Sequence, residues 1–189
     1  MPLAGSWVEL APLVEAPERE VARLVALRLL TPEMGSPTGP EESPVPAMLV
    51  LERSNRRPVG IVENHWLPGA NAVFLIYLDP GRARAGYGME ASAIYISRLF
   101  DGGARRVSAE VLDFNRAMHG IFRKVHLEPS VRMAEHVYVA GAFRDLLVYS
   151  FDRPRWLRMI ARYRAILPGG RRTMVAVGGS PRVDSGGSA

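Results

Sequence analysis

The alternation of apolar and polar positions divides the chain into strands and helices. Short alternating or wholly apolar runs predict seven strands, and apolar residues at every third or fourth position predict four helices. In chain order these are a strand at 6–13, a helix at 16–30, strands at 47–52, 58–66 and 70–80, a helix at 89–101, a strand at 105–114, a helix at 115–125, strands at 135–141 and 143–151, and a helix at 153–167.

The length and the end of the chain indicate one domain. A chain of 189 residues supports one hydrophobic core and rarely splits into two. We expect a single domain over 1–168, in which 153–168 is an amphipathic helix with arginines on its outer face. The low-complexity tail 169–189 predicts disorder, and the segment 31–46, rich in proline and glycine, predicts a loop.

Composition narrows the classes of function. The absence of cysteine excludes disulfides, cysteine-bound zinc and thiolate catalysis. The 24 basic residues against 19 acidic ones favour anionic ligands in general, and RNA only weakly. No apolar run approaches the length of a membrane span, and the first residues do not resemble a secretory signal. We therefore expect a cytoplasmic protein with no membrane partner and no metal ion.

A glycine segment, "RARAGYGMEA", raises the question of a phosphate ligand. It follows the apolar strand and opens a helix, and from Gly86 onwards it matches the dinucleotide fingerprint G-x-G-x-x-A. Three features argue against that fingerprint: the first glycine comes six residues after Pro80, antiparallel hairpins flank the segment, and the chain is short for such a fold. A plain glycine turn followed by a helix cap at Asn115 is the structural alternative.

Three segments in order resemble the GNAT superfamily of acyl-CoA-dependent N-acetyltransferases. They are "YLDPGRARAGYGMEA", "SAEVLDFNRAMHGIFRKVHLEP" and "EHVYVAGAFRDLLVYSF", and they are similar in particular to the ribosomal-protein N-terminal acetyltransferase branch. The resemblance implies an α/β (α+β) GNAT fold, with a mixed, mostly antiparallel central sheet of about seven strands. It also implies that the sheet is flanked by helices and splayed at the cofactor site.

The resemblance further implies acetyl-CoA as co-substrate and a set of residues that contact coenzyme A. Amides of 85–89 at a helix N-terminus would bind the diphosphate, where the helix dipole favours negative charge. The splayed strand and an asparagine would bind the pantetheine arm from two sides. The implied cofactor residues are Ile76, Tyr77, Leu78, Arg82, Arg84, Ala85, Gly86, Tyr87, Gly88, Met89 and Asn115.

The sequence departs from the family at the expected general acid. Ala83 stands where the family usually has Arg or Gln, Met118 where serine is common, and Phe122 where a tyrosine often protonates the leaving thiolate. His119 shares a helical face with Asn115 and is the candidate replacement. A partly buried structural histidine is the alternative for His119.

Glu63 is the preferred candidate for the general base that accepts the proton of the attacking amine. Glu63 and His65 would share one face of a strand, whereas surface or turn roles are the alternatives for the other candidates. Those other candidates are Glu135, His136, Tyr138 and Asp145.

The resulting hypothesis is an N-acetyltransferase. A primary amine, such as a protein N-terminus, an antibiotic or a small amine, would attack acetyl-CoA directly and receive its acetyl group. A homodimer and an RNA or tRNA partner are further expectations. Two alternatives stay open: an aminoacyl-tRNA-dependent transferase on the same fold, and a catalytically degenerate module that binds acyl-CoA.

Overall fold

The structure is a computed structural model that describes residues 3–4, 6–15, 17–26, 44–82, 84, 86–139 and 141–166. Eight strands lie within these residues: β1 (Leu3–Ala4), β2 (Val8–Pro12), β3 (Met48–Glu52), β4 (Pro58–Leu67), β5 (Asn71–Leu78), β6 (Arg106–Leu112), β7 (Val131–Val139) and β8 (Ala142–Asp152). Four α-helices lie there too: α1 (Glu18–Ala26), α2 (Tyr87–Asp101), α3 (Arg116–Lys124) and α4 (Arg153–Ile166). The predictions for 27–43, Ala83, Ala85 and 167–189 fall outside the described residues.

All eight described strands form one mixed sheet in the order β1-β2-β3-β4-β5-β6-β8-β7. The neighbours β5 and β6 are parallel, and every other pair is antiparallel. The parallel pair forms because α2 crosses from the end of β5 back to the start of β6. The predicted mixed, mostly antiparallel sheet is confirmed, and the two-residue β1 brings it to eight strands.

The two faces of the sheet are covered by different helices. On one side, here called the α1 face, Leu24 of α1 packs in a small cluster with Ala11, Leu49, Leu51 and Ile61. The opposite side, here called the α2 face, carries the large core, to which α2, α3 and α4 all contribute. Because strand side chains alternate between faces, residues of paired strands can be assigned to one face from the register.

Helix α4 is amphipathic, as predicted. Trp156, Met159 and Ile160 are buried in the large core, and the Trp156 indole N–H donates to the Ser97 hydroxyl at 3.1 Å. Arg158 on the outer side is exposed. Among the helices of the described ranges, none combines the length and the apolar character that crossing a bilayer requires.

Two predicted boundaries are wrong. Strand β7 begins at Val131 rather than at residue 135. The prediction missed residues 131–134 because they lie on an exposed edge and their apolar and polar positions alternate only weakly. A two-residue shift in register between Met133 and Val137 then bulges the strand, and Glu135 adopts a positive φ of 49° there. Helix α2 begins at Tyr87, two residues earlier than predicted.

The buried carboxylate of Glu90 joins the start of α2 to the start of β2. One of its oxygens accepts from the amide of Ser6 at 2.5 Å, and the other accepts from the amides of Trp7 and Val8, both at 2.8 Å. Glu90 is only 5% exposed, so these amides replace the water that the carboxylate loses on folding. The contact fixes the chain before β2 against the first turn of α2.

The Glu90→Gln variant should be less stable than the wild type by about 2 to 4 kcal/mol, because an amide offers one acceptor where the carboxylate offers two. The free energy of unfolding in urea at pH 7 measures the loss. Glu128→Gln, at an exposed position, is the control and should change it little. Equal stability of the two variants would refute the proposed importance of this contact.

Candidate active site

The parallel ladder between β5 and β6 ends while both strands continue. Four pairs connect the strands, from Asn71 opposite Arg106 to Phe74 opposite Ala109. β5 runs on to Leu78 beside β4, and β6 runs on to Leu112 beside β8. The two halves of the sheet therefore part after Phe74, and the main chain of β5 borders the opening.

Helix α2 begins at the end of this opening with its first turn uncapped by any side chain. Gly86 precedes the helix with φ 95°, a left-handed conformation that favours glycine. The first-turn amides of an α-helix lack intrahelical acceptors and attract anions. Trp7 lies over Gly86, because a Cβ placed there would be 3.0 Å from the Trp7 ring.

The second glycine and the tyrosine between the two glycines serve packing. A Cβ at Gly88 would lie 2.9 Å from the Leu78 methyl, so glycine lets α2 approach β5 closely. The Tyr87 side chain is buried and its hydroxyl donates to Glu52 at 2.6 Å. This bond is the main reason that the pKa of Glu52 is lowered, while burial first and then Glu52 raise the pKa of Tyr87. The Tyr87 side chain therefore cannot take part in the predicted diphosphate site, and Gly88 can take part only through its main chain.

The two predicted arginines lie in different surroundings. Arg82 contacts Glu20 of α1 at 3.0 Å and Asp79 at 3.4 Å, and Arg23 of α1 binds both of these carboxylates. Arg82 therefore connects the glycine segment to α1. Arg84 is exposed and lies 3.7 Å from Glu52, so its guanidinium is the better placed of the two to reach a ligand.

Carboxylates of neighbouring strands stand in one row across the α1 face. Glu63 of β4 is opposite Leu75 of β5, and Leu75 and Glu110 are the next positions after the last pair of the parallel ladder. Glu63 and Glu110 therefore lie on the same face, on either side of the opening. As predicted, His65 shares the face of Glu63, while Asn64 points the other way and donates to the Tyr95 hydroxyl at 2.7 Å.

Glu110 is the first residue of β6 beyond the parallel ladder. Burial raises the pKa of its carboxyl group, and the nearby His136 partly opposes the rise. No hydrogen bond to this carboxyl group is found among the described residues. A desolvated carboxylate without a partner is a stronger base than an ordinary glutamate.

Asp145 has a structural role at the bulge of β7. It accepts from the amide of Glu135 at 2.9 Å and from the Arg132 Nε at 2.6 Å. These bonds, the amide first, lower the pKa of Asp145. Tyr138, at the end of the same strand, is exposed and packs edge-on against Phe143, with ring centroids 5.2 Å apart. Neither residue adjoins Glu110.

Solved structures with the same architecture are acetyltransferases by name. A GCN5-related N-acetyltransferase from Brucella melitensis aligns with a TM-score of 0.65 and 18% identity over 89% of this chain and 86% of its own. The chain has the GNAT fold. Mycobacterium smegmatis RimJ in complex with CoA-disulfide aligns with a TM-score of 0.59 and 18% identity, over 85% of this chain and 92% of its own.

Ribosomal-protein-S5-alanine acetyltransferase from Vibrio fischeri aligns with a TM-score of 0.60 and 12% identity, over 82% of this chain and 98% of its own. No protein-family model and no curated protein matches the chain. The TM-scores establish the GNAT fold, and at such low identities the activity has to be argued from the residues.

The segment after β6 forms a helix that Asn115 caps, which is the structural role given above as the alternative for this residue. The Asn115 side chain accepts from the Met118 amide at 3.2 Å. The His119 ring points to the sheet: Nδ1 is 2.8 Å from the Tyr149 hydroxyl and Nε2 is 2.9 Å from the Leu112 carbonyl oxygen. Phe122 is buried and stacks on Tyr149 with ring centroids 4.2 Å apart.

Glu110 is the functional candidate that the sequence analysis missed. Within "SAEVLDF" it is a charged residue on the face opposite the buried Ala109 and Val111, as an ordinary exposed strand residue would be. Its partial burial and its place at the end of the parallel ladder come from the tertiary structure. Within the described ranges, no three carboxylate or imidazole side chains converge into a metal-binding group.

Gly86→Ala should destabilise the protein by about 1 to 2 kcal/mol, because a left-handed φ strains any residue with a Cβ and the Trp7 ring must move. Gly120→Ala is the matched control. Its Cβ would meet nothing within 4 Å inside α3, so it should raise stability by up to about 1 kcal/mol. Urea unfolding measures both, and equal effects would contradict the assigned conformation of Gly86.

Proposed function

We propose that this chain is an acetyl-CoA-dependent N-acetyltransferase that acts on a primary amine, with residues 1–168 as its single domain. The observation that carries the proposal is the opening between β5 and β6, which begins at Phe74 and Ala109 and leads to the uncapped start of α2. An extended ligand arm with a diphosphate at one end fits this arrangement, because main chain borders the opening and amides stand at its end.

In this proposal coenzyme A lies along the opening. The main chain of 76–78 binds the pantetheine arm on the β5 side, and Asn115 meets it from α3. The diphosphate binds the amides of Gly86, Gly88 and Met89, and Arg84 adds a positive charge. The Tyr87 amide does not take part, because it donates to the Arg84 carbonyl oxygen at 3.1 Å. Arg82 acts indirectly, because its contacts with Glu20 and Asp79 fix the segment on α1.

Glu110 is the proposed general base, in preference to Glu63. The thioester at the end of the arm would lie where the strands part, and Glu110 is the residue of β6 at that point. The amine nitrogen forms a bond to the thioester carbonyl carbon and transfers a proton, directly or through a water molecule, to Glu110. The tetrahedral intermediate then collapses as the carbon–sulfur bond breaks, and coenzyme A leaves as a thiolate.

His119 stays the proposed donor of a proton to that thiolate. Its Nε2 donates to the Leu112 carbonyl oxygen, so the neutral ring accepts from the Tyr149 hydroxyl at Nδ1. To donate from Nδ1, the ring must first become protonated and release this hydroxyl. The acid step therefore requires a rearrangement that the base step does not.

Calorimetric titration with acetyl-CoA and with free coenzyme A tests the cofactor site. Gly86→Glu should abolish binding, because its carboxylate would occupy the diphosphate position. Arg84→Ala should weaken binding about fivefold, the loss of one exposed ion pair. Ala161→Glu adds the same charge on the exposed side of α4 and should bind like the wild type. Wild-type protein that binds tRNA and no acetyl-CoA would overturn the proposal in favour of an aminoacyl-tRNA donor.

Glu110→Gln should lower kcat for acetylation by about 10²- to 10⁴-fold, the usual contribution of a general base, and leave the affinity for acetyl-CoA unchanged. Because the pKa of Glu110 is raised, the wild-type kcat profile at saturating amine should show an acid limb above the ordinary glutamate pKa, and Glu110→Gln should lack it. Thiol release at a series of pH values measures both. Glu63→Gln is the comparison, and a larger loss there would return the base to Glu63.

A further inference from the structure

Arg144 of β8 has no counter-ion among the described residues. Its side chain is half-buried, and its Nε atom is buried with no hydrogen-bond partner. None of the ion pairs between described residues includes Arg144. A partly desolvated guanidinium that lacks acceptors is costly unless a ligand supplies them.

An aromatic ring orients this guanidinium. The Arg144 Cζ atom lies 5.6 Å from the centroid of the Phe114 ring, and Phe114 is 52% exposed. A guanidinium over a ring gains cation–π energy through its face and keeps the N–H groups at its edge available. That edge matches the two oxygens of a carboxylate.

Arg144 and Glu110 lie on the same face of the sheet. Glu110 is opposite Val148 and Leu112 is opposite Leu146, so Arg144 follows as the next residue of β8 on the α1 face. Arg144 and Val148 are four positions apart in β8, so their Cα atoms are about 14 Å apart along the strand. Leu112, Leu146 and Val148 form an apolar strip between the base and the cation, in which Leu146 is 1% exposed and Leu112 and Val148 are half-buried.

We propose that Arg144 binds a carboxylate group of the acceptor, so that the acceptor is an amine joined to a carboxylate by a short apolar spacer. The inference rests on the proposed function, because it takes the amine to be at Glu110. The distance of about 14 Å is a separation of Cα positions, from which side chains of different length extend, so it indicates a spacer of several carbons and does not fix one length. An ω-amino acid with a six-carbon chain is the probe chosen for the test.

Three amines of equal chain length test the inference: ε-aminocaproate, its amide ε-aminocaproamide, and hexylamine. For the wild type, kcat/KM for ε-aminocaproate should exceed the values for the two neutral-ended amines about tenfold or more, as for a desolvated arginine–carboxylate contact. Arg144→Ala should remove the preference, and Arg144→Lys should restore part of it as a point charge. Arg158→Ala removes an exposed arginine on the other side of the sheet and should keep the full preference.

The outcomes separate this inference from the proposed function. Equal turnover of the three amines by a wild type that binds acetyl-CoA would overturn the role of Arg144 alone, whereas failure to bind acetyl-CoA would overturn the proposed function. If none of the amines is acetylated, titration with ε-aminocaproate in the presence of coenzyme A decides. Binding that Arg144→Ala weakens about tenfold supports the role, and absent or unchanged binding overturns it.

Discussion

The start of α2 depends on one buried carboxylate. Glu90 accepts the amides of three successive residues before and within β2, and so the chain that leads into the sheet is anchored to the first turn of the helix. Trp7 is one of these residues, and its ring lies against Gly86. The turn between β5 and α2 is thus confined by a segment almost eighty positions away in sequence, which keeps the first-turn amides directed at one place.

The opening in the sheet costs little because each strand that borders it keeps its antiparallel partner. β5 stays paired with β4 as far as Leu78, and β6 stays paired with β8 as far as Leu112. Only the parallel ladder ends early. Gly88 draws α2 close to Leu78, so the helix begins beside the end of β5. The opening and the start of α2 therefore adjoin each other because the parallel pairing is short.

Sequence patterns were sufficient for the elements and for their order, because periodicity depends only on which residues face the core. They were not sufficient for side-chain partners. Arg82 matched a phosphate ligand by position, yet it lies against α1 because Glu20, which is distant in sequence, and the neighbouring Asp79 both bind it. Gly88 matched a phosphate loop and serves packing. Glu110 matched an exposed strand residue and is desolvated, since its surroundings come from strands that are remote in sequence.

The ion-pair and hydrogen-bond partners of the charged residues distinguish those with structural roles from those that are available to a ligand. Glu9, Glu20, Glu52, Asp79, Glu90 and Asp145 each bind an arginine, a hydroxyl or main-chain amides. Glu110 and Arg144 are both partly buried, and neither has such a partner among the described residues. They stand on the same face at either end of an apolar strip. Since an unpaired charge at a partly buried position lowers stability, two of opposite sign at the ends of one strip are best explained by a ligand with opposite charges at its two ends.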